Sequence, residues 1–212
     1  PAQLKKLTRD LQDLSLRETG LPLFIAVDQE GGIISRIGFA KEKTPQSEIN
    51  NPNEAYQVGL MQGEELKGLG VNLNLSPVLD TAKGDDFLFN RSFQKNPDEA
   101  GLLAKFLLKA RGIAGILSAV KHFPGYGGIS FNPEVSLAEV DAVPEISQFK
   151  KVMETKPEFV MTSNVIYKNL DPELPFTFSP TAIKFLKDNL GQEVLIISDD
   201  LAQNYLLEKF SL

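Results

Sequence analysis

"LPLFIAVDQEGG", residues 21–32, decides the fold. Seven residues rich in strand formers run straight into Asp28, Gln29 and Glu30, then a glycine pair. A short apolar run of this kind reads as a strand whose carboxyl end opens onto polar groups. The pattern recurs along the chain. "VNLNLSPV" (71–78) leads to Asp80, "ILSAV" (116–120) to Lys121 and His122, and "VLIIS" (194–198) to Asp199 and Asp200, while "EFVMTSNVI" (158–166) carries Ser163 and Asn164. Loops are polar in general, but here every strand run meets polar groups, nearly all with ionisable side chains. Parallel α/β folds collect their ligand sites at the carboxyl ends of strands, so a site is expected there.

Helices fill the intervals. Residues 2–18 place Leu4, Leu7, Leu11 and Leu14 at helical spacing with charges between. "NPNE" (51–54) and "NPDE" (96–99) each offer an Asn cap, Pro at the first helical position and Glu at the third. "SPTA" (179–182) repeats the device with Ser179, and that helix should stop before Gly191. The order is a helix, then strand and helix in alternation, ending on a strand. Such alternation predicts a parallel sheet with helical crossovers. No internal repeat or linker interrupts it, so residues 1–212 read as one domain.

Two α/β architectures compete. A doubly wound nucleotide binder should show a Gly-x-Gly-x-x-Gly or Gly-x-x-x-x-Gly-Lys-Ser/Thr loop, and "DQEGGIISR" fits neither. A (β/α)8 barrel needs about 250 residues and eight strands. Five strands in 212 residues predict an incomplete TIM-type barrel, lacking one strand at the front and two at the back, with open strand edges.

Composition narrows the function. Apolar residues make up 42% and charged residues 24%, ordinary for a globular protein. With 22 basic against 28 acidic residues, the formal charge of −6 argues against a nucleic-acid or anionic-membrane surface. No apolar run reaches the roughly 18 residues of a membrane span. The chain has no cysteine, which excludes disulfides, thiolate metal sites and cysteine nucleophiles. A single histidine, His122, leaves a metal only an all-carboxylate site, and no cofactor is expected. No signal-peptide pattern stands at the front. Lack of cysteine fits a reducing cytosol and many exported proteins alike, so the compartment stays open.

The strand-end motifs, taken in order, resemble the N-terminal barrel domain of glycoside hydrolase family 3, in particular its bacterial β-N-acetylglucosaminidases. "FIAVDQEGGIISRI" (24–37) is similar to the family's Asp-Gln-Glu-Gly-Gly-Arg-Val segment, and "NLNLSPVLD" (72–80) to its Asn-x-x-x-Ala-Pro-Val-x-Asp strand. "NRSF" (90–93), "KHFPGYG" (121–127), "MTSNVIY" (161–167) and "IISDDL" (196–201) match further segments. The resemblance runs from about Leu21 to Leu201.

It implies a retaining glycosidase with an aspartate nucleophile at the position of Asp199. A carboxylate at a barrel mouth can attack an anomeric carbon and form a glycosyl-enzyme. Read alone, Asp199 is as readily a helix cap. Strand alternation would turn Asp200 to the opposite face. Asp28, Arg36, Arg91, Lys121 and His122 match the family's sugar-holding positions, where acids accept from sugar hydroxyls and cations donate to them. Read alone, Asp28 is a turn residue, the arginines are surface cations, and His122 is a satisfied core histidine. The Lys-His-Phe-Pro-Gly setting makes His122 a substrate holder rather than a proton carrier. The resemblance also implies cis peptide bonds at Lys121–His122 and Ser92–Phe93.

One departure from the family bears on catalysis. Its acid/base is a histidine paired with an aspartate in an Asp-Ser-His triplet. Counted from His122, the triplet falls on Asn132, Pro133 and Glu134. The second histidine of "FPGHG" is Tyr126. Either Glu134 serves as acid/base, its carboxyl raised by burial and by Asp199 and oriented by Asn132, or it is a solvated loop residue and proton transfer is lost. The implied activity is exo-hydrolysis of terminal β-linked N-acetylglucosamine from peptidoglycan-type or chitin-type fragments. A silent sugar binder and a family 3 β-glucosidase are the alternatives.

Overall fold

The computed structural model describes residues 1–210. Its centre is a five-stranded parallel sheet of β1 (Ala26–Val27), β4 (Leu73–Asn74), β5 (Leu117–Phe123), β7 (Phe159–Thr162) and β9 (Leu195–Ser198). The strands lie side by side in chain order, each paired with its successor. A doubly wound sheet would reverse that order at a switch point; consecutive order is that of a (β/α) barrel. The sheet does not close: β1 and β9 form its edges, and β6 (Glu139–Val140) and β8 (Ile166–Tyr167) pair with each other outside it.

The crossover helices are α2 (Pro52–Gly68), α3 (Pro97–Ile113), α4 (Ser147–Val152) and α5 (Pro180–Leu190). The three cap signals are realised. Asn51 accepts from the Glu54 amide, Asn96 from that of Glu99 and Ser179 from that of Ala182, each ahead of a proline. Helix α5 ends where Gly191 takes φ 119°. The leading helix α1 (Ala2–Thr19) also forms, but of its leucine stripe only Leu4 packs against a core cluster, while Leu7, Leu11 and Leu14 are exposed. The chain does not end on a strand as expected: α6 (Asn204–Lys209) follows β9.

The main core lies between the sheet and its helices. Val120, Phe123 and Val160 pack there against Leu103, Leu107, Phe149 and Leu186. A smaller cluster of Leu73, Ala119 and Phe159 covers the other face. The strands are shorter than the apolar runs suggest. Before β1, the Leu23 carbonyl and Ile25 amide are both satisfied by the Asn72 side chain, which takes the place of ladder bonds.

Two irregularities shape the site. The glycine pair turns a hairpin between β2 (Gln29–Gly31) and β3 (Ile34–Ser35). Gly31 has φ 101°, and a Cβ there would lie 2.0 Å from the Thr44 carbonyl oxygen, so no other residue fits. The register of β5 on β7 shifts between Val120 and Phe123, the stretch that carries Lys121 and His122. Cis peptide bonds fall at Ser76–Pro77, Lys121–His122 and Phe123–Pro124. The one expected at Ser92–Phe93 is not among them: Ser92 closes a 3-10 turn, donating to the Leu88 and Phe89 carbonyls, and continues in extended backbone.

Candidate active site

A cavity of about 920 Å³ opens at the carboxyl ends of the strands. All seven sequence-selected residues line it: Asp28, Arg36, Arg91, Lys121, His122, Glu134 and Asp199. They come from five different chain segments, joined only because the parallel strands end at one level.

Three of them, Asp28, Lys121 and Arg91, form a chain of alternating charge through Glu30. The Lys121 ammonium lies 2.6 Å from Asp28 Oδ1 and 2.6 Å from Glu30 Oε1. Arg91 closes on Glu30 with two bonds, Nε to Oε2 at 3.0 Å and Nη2 to Oε1 at 2.8 Å. Burial pushes the Glu30 carboxyl up, but Lys121 and Arg91 outweigh it and hold it below its usual 4.5. Burial lowers Arg91, but its hydrogen bonding to Glu30 together with the charges of Glu30, Asp80 and Glu134 more than reverses that, so its guanidinium is held charged.

His122 is fixed from the side away from the cavity. Its Nδ1 lies 2.8 Å from Asp80 Oδ2, which also accepts from the His122 amide at 3.2 Å. Asp80 Oδ1 accepts from the Tyr126 amide at 2.6 Å. One buried carboxylate therefore sets both the ring and the backbone that follows it.

Asp199 sits just past β9, its amide donating to the Thr162 carbonyl. Both carboxylate oxygens are held: Oδ1 accepts from the Asp200 amide at 2.8 Å, Oδ2 from the Tyr126 hydroxyl at 3.0 Å. Because β9 ends at Ser198, alternation no longer governs the next two residues. Asp200 also lines the cavity instead of facing away.

The chain matches the glycosyl hydrolase family 3 N-terminal domain over residues 1–211. It belongs to glycosyl hydrolase family 3. A β-hexosaminidase of Nitrosomonas eutropha is 33% identical over 228 residues, covering 97% of this chain and 64% of that protein. Among solved structures, a family 3 β-N-acetylglucosaminidase from Paenibacillus sp. FPU-7 superposes with a TM-score of 0.92 at 28% identity, covering 99% of this chain and 43% of that one. Native NagZ from Neisseria gonorrhoeae gives a TM-score of 0.84 at 30% identity, over 95% of this chain and 64% of that one. The chain thus spans less than two thirds of each of these proteins.

Within this family 3 domain, the loop that departs from the family motif lies over the site. Glu134 lines the cavity with its side chain 59% exposed, 3.9 Å from Arg91 Nη1. The burial expected around it is not there. Asn132 does not orient its carboxylate either; the Asn132 side chain accepts from the Glu134 amide at 2.8 Å, an Asx turn that shapes the backbone. The loop is tied instead by Tyr205 of α6, whose hydroxyl donates to the Pro133 carbonyl at 2.9 Å and also meets Gln203. Burial, then the charges of Asp199, Asp200 and Glu134, push the Tyr205 phenol up to about 12.

Sequence reasoning leaves out Glu30, Asp80, Tyr126 and Tyr205 as parts of the site. Glu30 and Asp80 stand inside quoted motifs and carry the signal of an acid at a buried strand end. Tyr205 lies in a helix that the strand pattern does not reach. Among the described residues no helix is long and apolar enough to cross a membrane.

Proposed function

We propose that residues 1–212 act as one family 3 barrel domain carrying the active site of a retaining exo-glycosidase for terminal β-linked N-acetylglucosamine. The observation that carries the reading is the setting of Asp199. Its carboxylate is hydrogen-bonded at both oxygens, faces the cavity, and shares it with three cations and the Asp28 carboxylate. The names borne by the similar proteins favour an N-acetylhexosamine, terminal on peptidoglycan-type or chitin-type fragments.

Asp28, Arg36, Arg91, Lys121 and His122 hold the terminal sugar, with the first accepting from hydroxyls and the cations donating. An Asp199 oxygen bonds to the anomeric carbon as the glycosidic C–O bond breaks, and Glu134 gives its proton to the departing oxygen. Water then attacks the same carbon, Glu134 takes the proton, and the ester electrons return to Asp199.

The test is release of p-nitrophenol from its β-N-acetylglucosaminide and β-glucoside by the full chain and by Asp199→Asn. Turnover of the N-acetylglucosaminide that Asp199→Asn abolishes is expected. Preference for the glucoside would move the specificity to a β-glucosidase. Absence of turnover with N-acetylglucosamine still bound would make the protein a silent sugar binder.

A further inference from the structure

The Tyr126 hydroxyl stands between two groups that leave it one role. It accepts from the Asn164 amide at 3.0 Å and lies 3.0 Å from Asp199 Oδ2. An amide N–H can only donate, so the phenol oxygen accepts there, and its single proton has Asp199 as its destination. The rest of the residue is immobilised. Its amide is bound to Asp80, its ring packs edge-on to His122 with centroids 5.1 Å apart, and the side chain is buried. Burial first, and then the Asp199 charge, push the phenol well above its ordinary value, so it keeps its proton.

We infer that Tyr126 is a positioning residue that governs the second half of the reaction, by donating a hydrogen bond to Asp199 that is strong only while Asp199 is a carboxylate. The inference rests on the reading of Asp199 as nucleophile. Asp199 carries a full charge in the free enzyme, loses it when its oxygen bonds to the anomeric carbon, and regains it when water displaces the ester oxygen from that carbon. A bond from a hydroxyl to a carboxylate is about twice as strong as one to a neutral acceptor. The Tyr126 proton therefore favours departure of Asp199 over its attack. Removing it makes Asp199 a worse leaving group while its second oxygen is still held by the Asp200 amide.

The experiment uses the full chain with an activated aryl β-N-acetylglucosaminide, steady-state kinetics, and mass spectrometry of protein quenched during turnover. Expected for Tyr126→Phe is a glycosyl-enzyme adduct that accumulates, with kcat and KM falling together by on the order of 10-fold. A merely structural role lowers kcat/KM without an adduct. Because Phe leaves the Asn164 amide unpaired, 3-fluorotyrosine at position 126 is the companion variant. It keeps the hydroxyl and should accumulate no more adduct than the parent. Adduct in both variants, or in neither, overturns the inference. The Asp199→Asn control separates the failures: an inactive parent or an active Asp199→Asn overturns the nucleophile reading and the Tyr126 inference with it, whereas an inactive Asp199→Asn beside an adduct-free Tyr126→Phe removes Tyr126 alone.

Discussion

Arg91 meets Glu30 as a bidentate pair, guanidinium edge to carboxylate edge, with the Glu30 side chain only 2% exposed. Glu30 also receives Lys121, so one buried acid fixes two cations that line the cavity. The geometry is that of an ionic spine, Asp28–Lys121–Glu30–Arg91–Glu134, running from the hairpin to the loop over the site. Glu30 does not line the cavity. It holds the groups that do.

Glu30→Gln should therefore cost both stability and binding. Removing one partner of a buried ion pair leaves its cations undercompensated, a loss of about 3–5 kcal/mol. Lys121 keeps Asp28 as a partner, which places the expected loss at the lower end of that range, about 3 kcal/mol. Urea denaturation measures it, and a variant as stable as the parent contradicts the spine. In the kinetics, KM should rise more than kcat falls, because the displaced groups hold the sugar in both ground and transition states.

The same acid sets an acidic limit to stability. The Glu30 carboxyl is held below 4.5 in the folded protein, so the unfolded chain takes up its proton first as pH falls. The stability that Glu30 contributes is complete above about pH 5 and is lost progressively as pH falls through 4.5 and then through the lower folded value. Thermal melts between pH 6 and pH 3 should show this decline in the parent. Glu30→Gln should start lower and fall less steeply. Parallel curves would assign the acid limb to other carboxylates.

Glu134→Gln separates acid/base catalysis from loop structure. The side chain is mostly exposed, so stability should change by less than about 0.5 kcal/mol. General acid catalysis contributes about 10²–10⁴-fold where the leaving oxygen is a sugar's. A disaccharide should accordingly lose that much, while an aryl glycoside with a good leaving group loses less in bond cleavage. Azide, which needs no general base, should restore turnover of the aryl substrate. Equal losses on both substrates, with no azide effect, would return Glu134 to the solvated loop.

The strand ends are legible in the sequence because apolar residues give way to charged ones within a single step, as at Val27–Asp28 and Val120–Lys121. The caps are legible because Asn51, Asn96 and Ser179 bond to amides three residues on. What is hidden acts over distance. Arg91 and Glu30 are 61 residues apart, His122 and Asp80 are 42 apart, and Tyr126 and Asp199 are 73 apart. No local period displays such pairs. Asp200 misleads for a related reason: alternation places it only as long as the strand lasts, and β9 stops at Ser198. The short β1 is likewise decided by Asn72, a side chain 47 residues from the Ile25 amide it satisfies.

Two glycine-to-alanine changes on neighbouring helices should have opposite signs. Alanine gains about 1 kcal/mol over glycine in a helix interior. Gly112 of α3 is exposed and has open space where a Cβ would stand, so Gly112→Ala should stabilise by about 0.5–1 kcal/mol. Gly59 of α2 is buried against α3, and its Cβ would lie 2.3 Å from the Leu107 carbonyl oxygen and 3.0 Å from Leu107 Cα. Those are backbone atoms, which cannot swing aside as a side-chain tip can. The helices must part, at about 1–3 kcal/mol for overpacking. A 2.3 Å approach to a backbone oxygen calls for the upper part of that range, about 2–3 kcal/mol, so after the propensity gain Gly59→Ala should destabilise by about 1–2 kcal/mol net. Chemical denaturation of the pair checks both signs at once. A stabilised Gly59→Ala would mean that α2 and α3 do not pack this closely in solution. Because α2 follows the hairpin that carries Asp28 and α3 leads into the strand that carries Lys121, a parted seam should also raise KM for the sugar.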